Sequence, residues 1–148
     1  MTTGKNGIQL IEEFEGFKPK MYKDAVGLPT IGFGTLIDTA DEKWLLTATI
    51  TKEQAEDLLR KELVMIENKL KLMVTATINQ NQYDALVSFA YNLGVYNLKT
   101  STLLKKVNKN PADATIRAEF NKWTHAGGKV LPGLVRRRQA EADLYFKV

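Results

Sequence analysis

From residue 51 the chain reads TKEQAEDLLRKELVMIENKLKLM, and no other stretch constrains the fold as tightly. Thr51 and Gln54 form a capping-box signature, in which the threonine oxygen and the glutamine side chain each satisfy an amide left open at a helix start. Behind them Ala55, Leu58, Leu59, Leu63, Ile66, Leu70 and Met73 recur every three or four residues. That spacing predicts one helix over 52–74, about six turns long, with an apolar stripe and a charged opposite face. A chain of 148 residues has room for one domain, and a helix of this length is suited to connecting two lobes of it.

The segments on either side differ in character. Residues 5–15 carry Ile8, Leu10, Ile11 and Phe14 at helical spacing and stop at Gly16, which predicts a short amphipathic helix with Glu15 at its C-terminal edge. Met21 to Ile37 is rich in aromatic and β-branched residues around Gly27-Leu28-Pro29, the pattern of two strands and a turn, with a further short strand expected near 44–50. Beyond the long helix the periodicity is helical throughout. Asn79 with Gln82 forms a second capping box before YDALVSFAYNL, which is apolar on most faces and reads as a buried central helix ending at Gly94. Ser101-Thr102 opens LLKKV, Pro111 opens ADATIRAEFNKW and Pro132 opens GLVRRRQAEADLYF, each proline standing where a first-turn residue needs no amide bond. No fixed-period repeat, low-complexity tract or long polar linker interrupts the chain.

Composition removes several function classes. With no cysteine the chain has neither disulfides nor thiolate metal sites. Its single histidine, His125, supports neither a histidine metal cluster nor a serine-type triad. The N-terminus lacks an apolar run of signal-peptide length, and no window approaches a membrane span, so no export route is expected from the chain itself. A net charge of +4 favours anionic partners without choosing among nucleic acid, lipid headgroups and wall polymers.

The stretch EGFKPKMYKDAVGLPTIGFG, residues 15–34, does not read as ordinary core or loop. A helix end followed by a hairpin can gather Glu15, Asp24 and Thr30 about one concavity. Two carboxyl groups facing a glycosidic bond supply a proton donor and a partner that activates water or stabilises positive charge on the sugar. Glu15, flanked by Phe14 and Phe17, is expected to be partly shielded, which favours its protonated form. Asp24, in a polar turn, is expected to stay charged. If TIGFGT is a single strand, Thr30, Gly32 and Gly34 share one nearly bare face, which implies close approach of another backbone or of a ligand such as a sugar ring.

Glu15, Asp24 and Thr30 with their intervening gaps closely resemble the catalytic region of phage-type lysozymes, glycoside hydrolase family 24. INQNQYDALVSFAYNLG, STLLKKVN, and Trp123 followed by AGGKVLPGLVRRRQAEADLY resemble the same family's helical lobe, so the likeness covers nearly the whole chain. It implies an α+β, mainly helical, lysozyme-like fold in a single catalytic domain, 1–148. A small β-hairpin lobe is expected at about 15–50, a connecting helix at about 52–74, and a larger helical lobe at about 75–148 together with 1–14. It also implies a phage endolysin that hydrolyses the β-1,4 bond between N-acetylmuramic acid and N-acetylglucosamine of peptidoglycan with inversion. In that reading Glu15 is the general acid, and Asp24 and Thr30 position the attacking water. Gly32, Gly34, Leu36 and Leu98 are expected substrate contacts, no cofactor or metal is needed, and the protein acts as a monomer. The enzyme would be made in the host cytoplasm and reach the wall after holin-type release. The family often has histidine where this chain has Thr35, which removes any interaction belonging to that histidine.

Arg136-Arg137-Arg138 begins the last helix, where consecutive positions point in different directions. The bland reading is a solvated basic face; the sharper one turns Arg137 toward Glu15 as its charged partner. With Lys105, Lys106, Lys109, Lys122 and Lys129 the cluster also suits an accessory attraction to an anionic membrane surface. It leaves open a basic membrane- or nucleic-acid-binding module, although no nucleic-acid motif accompanies it and no specific nucleic acid is expected. A closer alternative is a lytic transglycosylase cutting the same bond, against which the presence of both Asp24 and Thr30 argues.

Overall fold

The computed structural model describes all 148 residues. They fall into two compact units, one formed by Met1–Leu10 with Met65–Val148 and the other by Ile11–Val64. The boundary cuts two helices, α1 (Lys5–Glu15) and α2 (Lys52–Met73).

In the unit Ile11–Val64, α1 ends at Glu15 because Gly16 takes a left-handed φ of 72° and returns its amide to the Glu12 carbonyl at 3.0 Å. Strands β1 (Lys18–Lys23), β2 (Pro29–Gly32) and β3 (Thr35–Leu36) follow as an antiparallel sheet in chain order. Tyr22 stands opposite Thr30 and Thr30 opposite Leu36. The expected strand near 44–50 is instead a 3-10 turn at Lys43–Leu46, with pairing limited to a bridge between Lys20 and Thr49. The start of α2 is the capping box read from sequence: Gln54 N–H donates to Thr51 Oγ1 at 3.1 Å, and Thr51 N–H donates to Gln54 Oε1 at 2.8 Å. Ile11, Ile31, Phe33, Leu45, Ile50, Ala55, Leu59 and Leu63 form the buried interior of this unit.

The other unit is helical apart from one hairpin. Helix α3 (Gln80–Leu93) carries a complete Asn79/Gln82 capping box and buries every residue from Tyr83 to Ala90, as its apolar surround predicts. It is followed by α4 (Val95–Thr100), α5 (Thr102–Lys109), α6 (Ile116–Asn121) and α7 (Pro132–Tyr145). Helix α6 starts later than Pro111, after a turn in which Asp113 accepts from the Thr115 amide at 2.8 Å and the Thr115 hydroxyl at 2.7 Å. An all-helical distal chain was expected, but β4 (His125–Ala126) and β5 (Lys129–Val130) form a small hairpin. Its turn, Gly127-Gly128, has φ of 59° and 78°, the geometry that a two-residue hairpin loop requires.

The N-terminal residues of this unit are fastened by Asp84. Its buried carboxylate accepts from the Gly4 amide at 2.9 Å, the Gly7 amide at 3.1 Å and the Gln80 side chain at 2.7 Å. Gly7 has no alternative, since a Cβ there would lie 2.8 Å from the Asp84 Cβ. No helix is long and apolar enough to cross a membrane.

Candidate active site

Asp24 and Thr30 are joined through one residue, Leu28. The Asp24 carboxylate accepts from the amides of Val26 at 3.0 Å and Leu28 at 2.8 Å, both through Oδ1, while the Asp24 amide donates to the Leu28 carbonyl at 2.9 Å. The same carbonyl accepts from the Thr30 hydroxyl at 2.9 Å. Gly27, at φ 87°, lets the chain turn between them. With its proton committed to Leu28, the buried Thr30 Oγ1 has lone pairs to offer as acceptors. The half-buried Asp24 keeps a second oxygen, Oδ2, outside the turn. An acceptor hydroxyl and a carboxylate oxygen held on a common backbone anchor can orient one water molecule.

Glu15, half-buried at the end of α1, belongs to the same neighbourhood. The Tyr22 phenol is raised above its usual range, first by burial and then by the charges of Glu15 and Asp24, so both carboxyl groups bear on one phenol. Tyr22 is in turn the cross-strand partner of Thr30. It escaped sequence reasoning because a tyrosine in an aromatic strand reads as packing; its place two residues before Asp24 was the available signal.

Of the two causes expected for the glycines, close approach of another backbone or of a ligand, the first is seen at Gly32. TIGFGT is not one strand: β2 ends at Gly32, the chain turns through Phe33-Gly34, and β3 begins at Thr35. Thr30, Gly32 and Gly34 therefore do not form a bare strand face. Gly32, at φ 69°, is buried against α2, and a Cβ there would stand 3.0 Å from the Ala55 Cβ. The close approach inferred from the missing side chain is, at Gly32, that of a helix. Gly34, at φ 80°, makes the turn. Thr35 buries a hydroxyl that has no hydrogen-bond partner in the chain. Leu36, opposite Thr30, is 47% exposed and presents an apolar surface there. Phe17 and Phe33 pair with ring centroids 5.7 Å apart.

Two expected site residues lie in the other unit. Leu98 is wholly buried, so its side chain packs in the core and has no surface to give a substrate. Arg137 is also buried, its Nε 3.4 Å from Glu141 Oε2 and its Nη2 3.3 Å from the Ser88 carbonyl. Arg138 is buried completely, with Nε 2.8 Å from Glu141 Oε1 and Nη2 2.7 Å from Asn92 Oδ1. The arginine run is therefore not a solvated face, since only Arg136 of the three is exposed. Burial pushes the Glu141 carboxyl up, opposed by Arg138, Arg137 and the Ser88 hydroxyl, which donates to it at 2.6 Å. The signal was in the sequence: Glu141 lies three and four residues beyond these arginines, the spacing of neighbours on a helix.

A carboxyl-bearing helix end, a hairpin that fixes a second carboxylate beside a hydroxyl, and a long helix leading into a helical bundle define a lysozyme-like glycosidase class. A model of the family described as phage lysozyme matches residues 12–141, and the chain belongs to that family. It is 38% identical over 151 residues to an endolysin of Acyrthosiphon pisum secondary endosymbiont phage 1, covering 98% of each chain. An endolysin of Bacillus phage PZA is likewise 38% identical over 150 residues, but the match spans 55% of that longer protein. Among solved structures, a mutant of P22 lysozyme has a TM-score of 0.86 at 33% identity, with 99% of both chains covered. The lysozyme-like fold and the glycoside hydrolase class expected from the sequence are those of this family.

Proposed function

We propose that the protein is a phage endolysin that hydrolyses the β-1,4 bond between N-acetylmuramic acid and N-acetylglucosamine in peptidoglycan, with inversion at the anomeric carbon. Glu15 donates its proton to the glycosidic oxygen as the C1–O bond breaks. Water held by Asp24 and Thr30 attacks C1 from the opposite face and passes a proton to the Asp24 carboxylate. The reading is carried by the shared attachment of Asp24 and Thr30 to Leu28, which favours a fixed water over a mobile one. Leu36, exposed beside Thr30, is the apolar contact for a sugar ring. The chain acts as a monomer, is made in the host cytoplasm and reaches the wall after holin-type release. Exposed lysines add an accessory attraction to anionic membrane surfaces.

Digestion of purified peptidoglycan followed by mass spectrometry of the released ends tests this. Wild type is expected to leave hydrated reducing ends, and Glu15→Gln to slow cleavage by roughly 10²–10⁴-fold without loss of fold. Anhydro ends, lighter by one water, would replace the hydrolase with a lytic transglycosylase. Vesicle leakage by an Asp24→Asn protein that no longer cuts the wall would move the main activity to the membrane.

A further inference from the structure

A recess lies within the unit Ile11–Val64, along one flank of α2. Ile50 and Leu58 are its apolar lining, Trp44 its aromatic wall, and Gln54, Asp57 and Lys61 its polar border, around a volume of about 240 Å³. Residues 54, 57, 58 and 61 follow the spacing of a single helix face. Ala55, Leu59 and Leu63 occupy the buried face of α2, and Glu56 and Arg60, which act on Glu12 of α1, occupy the remaining flank. The recess is thus on the side of α2 away from the helix that carries Glu15.

Trp44 is 58% exposed, although its segment is firmly held. Leu45 beside it is wholly buried; the Leu45 amide donates to the Glu42 carbonyl at 2.9 Å and the Glu42 amide to the Asp38 carbonyl at 2.6 Å. Asp38 Oδ1 accepts from the amides of Ala40 at 2.9 Å and Asp41 at 3.3 Å, and Lys61 Nζ lies 3.6 Å from the Glu42 carboxylate. The Ile50 amide is fixed to the Pro19 carbonyl at 2.9 Å. More than half of the indole surface is thus held open to solvent beside Ile50 and Leu58, where a ligand entering the recess would cover it.

The polar border indicates what would bind. Gln54 Oε1 is committed to the Thr51 amide at 2.8 Å, which leaves the N–H bonds of its amide as donors, while Asp57 is an acceptor on the same helix face. The indole offers a π-face of negative quadrupole to weakly positive C–H groups. Pockets for drug-sized ligands run to roughly 300–1,000 Å³, so this volume suits one ring. A pyranose bearing an acetamide matches all three: C–H bonds toward the indole, hydroxyls toward Asp57, and the acetamide carbonyl toward Gln54.

We propose that the Trp44 recess is an accessory saccharide subsite that holds one N-acetylhexosamine ring of the peptidoglycan strand, away from the bond being cut. The choice of polymer rests on the hydrolase reading above. Engaging one strand at two places raises the effective concentration of the second contact.

The test uses the full chain with Glu15→Gln, to prevent turnover, and follows indole N–H resonances while an N-acetylglucosamine trisaccharide is added. The Trp44 resonance, assigned by its loss in Trp44→Phe, is expected to shift saturably with the sugar and to stay still with free stem peptide. In the same background Trp44→Ala and Asp57→Ala should each weaken retention on purified sacculi by about fivefold. In the otherwise wild-type chain both should leave cleavage of a short soluble glycan unchanged. A Trp44 resonance that ignores the trisaccharide, or answers only to stem peptide, overturns the proposal, as does undiminished retention of both variants. Failure of wild type to cut any glycan while the Trp44 shift persists would sink the hydrolase reading and leave the sugar site standing.

Discussion

Glu12, one helical turn before Glu15, shows how single residues set the behaviour of this site's surroundings. Its carboxyl is raised above 4.5, first by burial, then by the charge of Glu56 and a hydrogen bond to it, against the pull of Lys52 and Arg60. The folded chain therefore keeps a proton on Glu12 at a pH where the unfolded chain has released it. This contribution to stability is fully present below 4.5 and is lost as pH climbs through the higher folded-state value. Glu12→Gln keeps the hydrogen bond to Glu56 without the ionisation. Urea denaturation across this range is expected to show a flatter pH dependence for the variant and a gain over wild type on the alkaline side; parallel curves would refute the assignment. Nothing in the spelling EEFEG announces this behaviour of Glu12, because it comes from burial and from Glu56 on another helix. Leu98 was misread for a related reason: its neighbours in the chain resemble a binding motif, but its side chain is wholly buried.

At the level of elements, the turn between β2 and β3 is the part whose failure would reach furthest. Gly32→Ala forces a side chain into a left-handed backbone and against Ala55 at 3.0 Å. We expect a loss of about 1–3 kcal/mol in urea denaturation and lowered activity through Thr30, two residues away. An unchanged unfolding midpoint would show that α2 yields at no cost. Elements announced by local chemistry were readable: both capping boxes stand where Thr51, Gln54, Asn79 and Gln82 placed them, and α2 runs to Met73 as its apolar spacing required. Short elements fixed from outside were not. Residues 43–46 have β-rich neighbours yet curl into a 3-10 turn around the buried Leu45, and the hairpin at 125–130 pairs only two residues on each side of Gly127-Gly128.

For the whole molecule, the resemblance read from ordered blocks along the chain identified the family, and residues 12–141 match its model. The types of Glu15, Asp24 and Thr30 were visible in the sequence, whereas the attachment of Asp24 to Thr30 was not, since Leu28 contributes only backbone atoms and any residue with an amide N–H could have stood there. That attachment makes a directional claim. If Asp24 and Thr30 hold the nucleophile opposite the leaving oxygen, the first product must carry the configuration opposite to that of the β-linkage. Proton NMR of a defined peptidoglycan oligomer, recorded in the first minutes of digestion before the anomers equilibrate, reads this directly. The α-anomer is the predicted first product; initial appearance of the β-anomer would contradict the account.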